Sequence, residues 1–276
     1  MTYRGASKAI SVIGLGEMGA ALARVLLSEG FTITGWNRSR DKAERLVEHG
    51  ARIANSVLEA VTASPVIIAC VSDYPTLSAL LHDPDVEKAI ASKTLIQLTT
   101  RTPAQARIGE AWTVKAGVAC LEGAIQAYPM HIGTPEGSIL YSGPRSVFDA
   151  MQPILSALTG QVVYVSEKVG SSAALDLALA GTVVPGATLA FLQGAAICHA
   201  EGAPLQSYLD MVESSIMPGL MLSTFRSSIQ MIEKRDYAYT GDGAPLDAWL
   251  PGLQMTSQAA RDAGVNSHWN EFVLAH

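Results

Sequence analysis

The chain has 276 residues, a formal net charge of −6, 49% apolar residues and only 16% charged ones. That length fits two domains, and the scarcity of charge fits a large buried surface, subunit interface included. The acidic balance, with a pI near 5.5, gives no support for nucleic acid or an anionic membrane as partner.

Met1 to Ser7 is short and polar and holds no signal peptide, so the chain is expected in the cytoplasm. The apolar run 9–13 predicts a first strand, which runs directly into Gly14-Leu15-Gly16-Glu17-Met18-Gly19. A glycine fingerprint between a strand and a helix is the setting in which a dinucleotide binds. Gly14 allows the tight turn, Gly16 lets backbone approach a pyrophosphate, and Gly19 lets helix pack on strand. The N–H groups opening the helix, around Glu17 and Met18, then face the phosphates.

A second strand is predicted over 31–36, followed by Asn37-Arg38-Ser39-Arg40, with Lys42 shortly after. A site for NAD usually places a carboxylate here, to accept from the ribose hydroxyls. Arg38 can instead fork onto a 2′-phosphate, with Ser39 and Lys42 beside it. The pattern therefore points to NADP(H). The competing reading makes Ser39 a helix cap and the cations a solvated face.

Further strands are predicted over 52–54, 66–71, 94–99, 119–127, 138–141 and 162–165, with helices over 40–49, 57–63, 103–115 and 147–158. The runs 66–71 and 94–99 are almost continuously apolar, as strands covered on both faces should be. This alternation predicts an α/β doubly wound Rossmann domain over 1–166. Val71, Ser72 and Thr99 end strands at its carboxyl edge, where a nicotinamide ribose belongs.

From about Glu167 the strand pattern stops. Residues 177–197 carry no charge, followed by helical stretches near 205–234, 248–263 and 267–274. The uncharged run is long enough for a membrane span but lacks aromatic belts and flanking cations, so a helix buried inside a soluble assembly is expected. An all-α domain over 167–276 led by such a helix predicts a homodimer with intertwined helical domains. Asp236 to Pro251 is expected as a site-lining loop carrying Trp249. Cys70, Cys120 and Cys198 read as buried free thiols, and no spacing suggests a metal.

Four stretches now fall in order: residues 14–19, Asn37-Arg38-Ser39, residues 122–127, and Gly170 leading to Asp176. Together they resemble the β-hydroxyacid dehydrogenase superfamily, with its 6-phosphogluconate dehydrogenase-like C-terminal domain. Within it, Gly123-Ala124-Ile125, Tyr128-Pro129 and the run 132–144 are most similar to the NADPH-dependent imine reductases. Leu98-Thr99-Thr100-Arg101-Thr102-Pro103 is also similar to that family's fifth-strand loop. The resemblance covers essentially the whole chain and thins after about residue 200.

It implies reduction of a small-molecule imine by hydride from NADPH. The dehydrogenases carry a catalytic lysine six residues after the glycine matched by Gly170; here that position is Asp176, as in many imine reductases. Their asparagine one turn later is matched by Ala180. A ketone develops negative charge on oxygen, which a lysine stabilises, whereas an iminium arrives positive. At about 4 Å and an effective dielectric near 20, such a contact is worth about 4 kcal/mol, so the exchange changes the preferred substrate. Asp176 is thus expected as proton donor or electrostatic stabiliser, and Asp-type members are associated with (R)-amines.

Gln97, Gln126, Tyr128 and Trp249 are expected around the substrate. Gln97 stands where relatives often have Asn, Gln126 where they more often have an apolar residue, and Val184 where some reductive aminases have Tyr. Two alternatives remain open: a 3-hydroxyacid-type dehydrogenase acting on C=O, and a non-catalytic NADPH-binding sensor.

Overall fold

A computed structural model describes residues 8–235 and 246–275. It divides into two compact units, Met1–Thr182 and Val183–His276. The strands are β1 (Ala9–Ile13), β2 (Thr32–Trp36), β3 (Arg52–Ile53), β4 (Val66–Ala69), β5 (Thr94–Gln97), β6 (Ala119–Gln126), β7 (Ser138–Ser142) and β8 (Gln161–Ser166). All belong to one sheet of the first unit, in the order β3-β2-β1-β4-β5-β6-β7-β8. Neighbours run parallel except β6 and β7, whose antiparallel ladder sets Gln126 opposite Ser138. The sheet is the doubly wound Rossmann arrangement that the alternating pattern predicts.

The strand ends are level: Ile13 pairs with Trp36 and Ala69, Ala69 with Gln97, and Gln97 with Glu122. The turns after β1, β2, β4 and β5 therefore leave one edge of the sheet together. One face carries α1 (Glu17–Ser28) and α7 (Arg145–Leu158), which bury Leu22, Leu26, Phe148 and Leu155. The other carries α3 (Val57–Ala63), α4 (Tyr74–Leu81), α5 (Pro84–Ile90) and α6 (Pro103–Lys115), with Val61, Leu77, Leu81 and Ile90 in its core. All four residues of β4 are buried, as the continuous apolar run requires.

Three differences from the sequence reading have local causes. The helix expected over 40–49 is only α2 (Arg40–Glu44), after which i→i−3 bonds from Leu46, Val47 and His49 tighten the chain into turns up to Gly50. Helices α4 and α5 were not foreseen, although each opens with an aspartate cap and a proline in its first turn. Asp73 accepts from the Thr76 amide at 2.8 Å, and Asp83 accepts from Asp85 and Val86.

The third concerns the division of the chain, which falls after Thr182 rather than at 166. Helix α8 (Ser171–Ala178) packs on β6, β7 and β8, burying Ser172, Ala173 and Asp176. Its first turn is tied down where the Ser172 amide donates to Ser142 Oγ and the two hydroxyls meet at 2.8 Å. The helix that leads into the long apolar run thus belongs to the first unit, while Leu177 and Leu179 at the start of that run are exposed.

Beyond a π-helical turn at Leu179–Val183, the second unit holds α9 (Val184–Ala200), α10 (Leu205–Met211), a π-helical stretch at Val212–Met221, α11 (Leu222–Lys234), α12 (Leu246–Asp262) and α13 (His268–Leu274). Pro218 lies within the second widened stretch, where it cannot donate to the helix ladder. Among the described residues this unit has no strand. The loop expected over 236–251 lies outside the described residues up to 245, and from Leu246 the chain is already helical. The helix Ser171–Ala200 has a mean hydropathy of 1.7, and only 6% of its most apolar window is buried within the chain. By length and composition alone it could cross a membrane. Leu189, Leu192, Phe225, Ile229 and Ile232 are exposed around it in sequence and along α11.

Candidate active site

The level strand ends place the fingerprint, the NADP(H)-type signature and the polar strand termini along one edge. Gly14 has φ +92°, and a Cβ there would strike the Cys70 carbonyl; at Gly19 it would strike the carbonyl of Gly14. Gly16 differs, because nothing lies within 4 Å of a Cβ built on it. Gly14 and Gly19 are therefore fixed by the fold, while the space at Gly16 is left open for a ligand. Gly16 caps α1 with no side-chain hydrogen bond, which leaves the first N–H groups of the helix, from Glu17 and Met18 on, directed outward. An open backbone face beside free helix N–H groups is a setting that accepts an anion.

Asn37 ties the two loops together: its Oδ1 accepts from the Leu15 amide at 3.0 Å, and its Nδ2 donates to the Ser39 carbonyl at 2.9 Å. Ser39 sits at the N-cap of α2 but makes no capping hydrogen bond, so its hydroxyl remains available. Arg38, Ser39 and Lys42 are all exposed. Arg40, by contrast, is engaged by Glu44 and Asn55, each at 2.8 Å. Three donors without a carboxylate on β2 suit a 2′-phosphate.

Asp73, which the sequence reading did not single out, adds one acidic group nearby. Thr76 and Ser72 hold its carboxyl below the usual range, with a contribution from the charge of Arg38. Its sequence signal was the Asp73-Tyr74-Pro75 cap pattern.

At the nicotinamide end of the edge, Thr99 Oγ1 accepts from the Val71 amide at 3.0 Å and joins the turns after β4 and β5. Ser72 donates to Asp73 at 2.7 Å. Gln97 is buried, with its Nε2 donating to the Thr99 carbonyl at 2.9 Å and its Oε1 accepting from the Thr99 amide. Its side chain thus fixes Thr99. Behind this loop Arg101 and Glu122 form a buried ion pair, and the guanidinium lies 5.4 Å from the Tyr74 ring.

Asp176 lies on the inner face of α8, 8% exposed, and its Oδ1 accepts from Gln126 Nε2 at 2.6 Å. Burial raises its pKa above the usual carboxylate value, and the Gln126 hydrogen bond opposes that rise. No cation of the described residues is paired with it. Tyr128, just past β6, is 68% exposed, with its ring centroid 5.8 Å from that of His131 in an edge-on arrangement. Trp249 and Val184 belong to the second unit, and both are exposed. Among the described residues, no group of three or more His, Cys, Asp or Glu could hold a metal ion.

The chain is similar over most of its length to several known proteins. Residues 9–166 match the family model described as the NAD binding domain of 6-phosphogluconate dehydrogenase. An NADPH-dependent reductive aminase of Aspergillus oryzae is 33% identical over 264 residues, covering 95% of this chain and 87% of that protein. An imine reductase from Myxococcus stipitatus, solved in complex with NADP+, superposes with a TM-score of 0.86 at 32% identity over 97% of this chain and 92% of that one. A reductive aminase from Aspergillus terreus, solved with NADPH and ethyl levulinate, gives a TM-score of 0.83 at 31% identity, covering 98% of this chain and 92% of its own.

Proposed function

Because the chain belongs to the family of 6-phosphogluconate dehydrogenase-like NAD-binding proteins that includes the reductive aminases and imine reductases, we propose that it reduces a small cyclic or preformed imine to an amine with NADPH. NADPH, when bound, supplies a hydride to the carbon of the C=N bond. The open face at Gly16 and the uncapped start of α1, with Leu15, Glu17 and Met18, hold its pyrophosphate. Arg38, Ser39 and Lys42 take the 2′-phosphate, and Asn37 fixes the loop that presents them. Val71, Ser72 and Thr99 line the nicotinamide ribose, with Thr99 steadied by Gln97.

The single observation that carries the reaction class is Asp176, a buried carboxylate in contact with an amide and, among the described residues, no cation. Such a group favours the protonated form of an imine, which is the form that accepts hydride, and repels a developing oxyanion. Gln126 and Tyr128 border the substrate on the first unit, and the amine formed is expected to be (R). The exposed apolar residues of α9 and α11 support a homodimer with intertwined helical units. The location is taken to be the cytoplasm.

The test is NADPH oxidation with 1-pyrroline, wild type beside Asp176→Ala. Turnover that collapses in the variant while NADPH binding persists supports the reading. Undiminished turnover removes Asp176 from the chemistry. An inactive wild type that still binds NADPH would overturn imine reduction itself.

A further inference from the structure

The Gln126–Asp176 contact joins the end of β6 to the inner face of α8. An amide N–H can only donate, and the ionised carboxylate is the acceptor it prefers. The carboxylate is buried with no cation of the described residues paired to it, and that burial favours its neutral form, so the Gln126 donor is the contact that opposes protonation. Held as an anion in that setting, the group is matched by a cation brought by the ligand.

We propose that Gln126 is a positioning residue which fixes one oxygen of Asp176 and holds the group as an anion, so that the protein selects substrates already charged as iminium ions. Substrates that reach the site as neutral imines and need a proton from Asp176 are disfavoured. The inference rests on the assignment of Asp176 to the substrate nitrogen.

The surroundings leave Gln126 as the group that tunes Asp176. On β6, Glu122 faces the same side but is held by Arg101, and burial pushes the Cys120 thiol up to about 11, so it stays neutral. On β7 the residues turned to α8 include Ser142 and Leu140, while Tyr141 and, on β8, Tyr164 pack into the core beneath α7. On α6, Arg107, Glu110 and Lys115 are exposed to solvent. Helix α8 itself carries no other ionisable residue.

The experiment compares wild type, Gln126→Met and Gln126→Glu on 2-methyl-3,4-dihydroisoquinolinium, an iminium that has no proton to lose. With this probe the acidic limb of kcat/KM reports Asp176 alone. In Gln126→Met the limb is expected to move up by about one pH unit, whatever the height of the alkaline plateau. Gln126→Glu places a second carboxyl beside the first and is expected to move it further. Titration of the Asp176 carboxyl by 13C NMR in the cofactor-free protein, assigned with Asp176→Asn, is expected to shift in the same direction, and it does not depend on turnover. Coincident limbs and coincident NMR titrations in wild type and Gln126→Met would overturn the proposal. Full activity of Asp176→Asn would instead overturn the placement of Asp176 on which it rests.

Discussion

Removing either member of the Arg101–Glu122 pair should destabilise the first unit far more than removing both. The two side chains are 4% and 5% exposed, and they join the loop after β5 to the middle of β6. Glu122→Gln leaves a guanidinium buried among Tyr74, Gly109 and Trp112, with its Nε already lacking a hydrogen bond. Arg101→Met leaves a carboxylate whose remaining neighbour is the Cys120 thiol at 3.6 Å. Breaking such a pair costs about 3–5 kcal/mol, whereas replacing it whole by apolar residues is close to neutral. At about 2–4 °C per kcal/mol, the single variants should lose on the order of 10 °C in Tm.

Urea unfolding of wild type, both singles and Arg101→Met/Glu122→Met closes the cycle. A double variant as unstable as the sum of the singles would refute the reasoning, as would single deficits below about 1 kcal/mol.

Gly14→Ala should lower thermal stability, because its Cβ meets the Cys70 carbonyl at a positive φ; Gly16→Val should leave Tm unchanged and weaken NADPH binding, read by fluorescence titration. Arg38→Ala should raise the Kd for NADPH by about 10–100-fold and leave that for NADH within a few-fold, and equal losses for both cofactors would sink the 2′-phosphate assignment. Burial pushes the thiols of Cys70 and Cys120 up to about 11, so roughly one in a thousand is ionised at pH 8; mass spectrometry should find both unalkylated after brief iodoacetamide treatment of the native protein. Sedimentation equilibrium should give twice the 29.1 kDa chain mass, and a stable monomer at micromolar concentration would leave the apolar faces of α9 and α11 without the partner assigned to them.

Where local chemistry dictates structure, the sequence was sufficient. The fingerprint at Gly14–Gly19 could be read because a tight turn and close helix packing require glycine at fixed spacing. Strands β1, β4 and β5 could be read because burial on both faces demands continuous apolar runs. Asp176 stood out because an unpaired charge leading an apolar helix needs a reason. Helices α4 and α5 were legible in principle from Asp73 and Asp83, since capping acts within three residues. The early end of α2 had a weaker signal, because propensity alone does not stop a helix.

Tertiary structure decided what depends on residues far apart in the chain. Gln126 and Asp176 are 50 positions apart, and only the antiparallel turn into β7 and the return of α8 across the sheet bring them to 2.6 Å. The same return moves the end of the first unit to Thr182. Gln97, equally polar and equally near a strand end, is turned instead into the backbone of its own loop. Residue type told which side chains could serve a charged substrate; burial and the direction of each strand end decided that Gln126 meets Asp176 while Gln97 bonds its own loop. A side chain's chemistry is local, but its desolvation and its partners are set by whatever the fold packs against it.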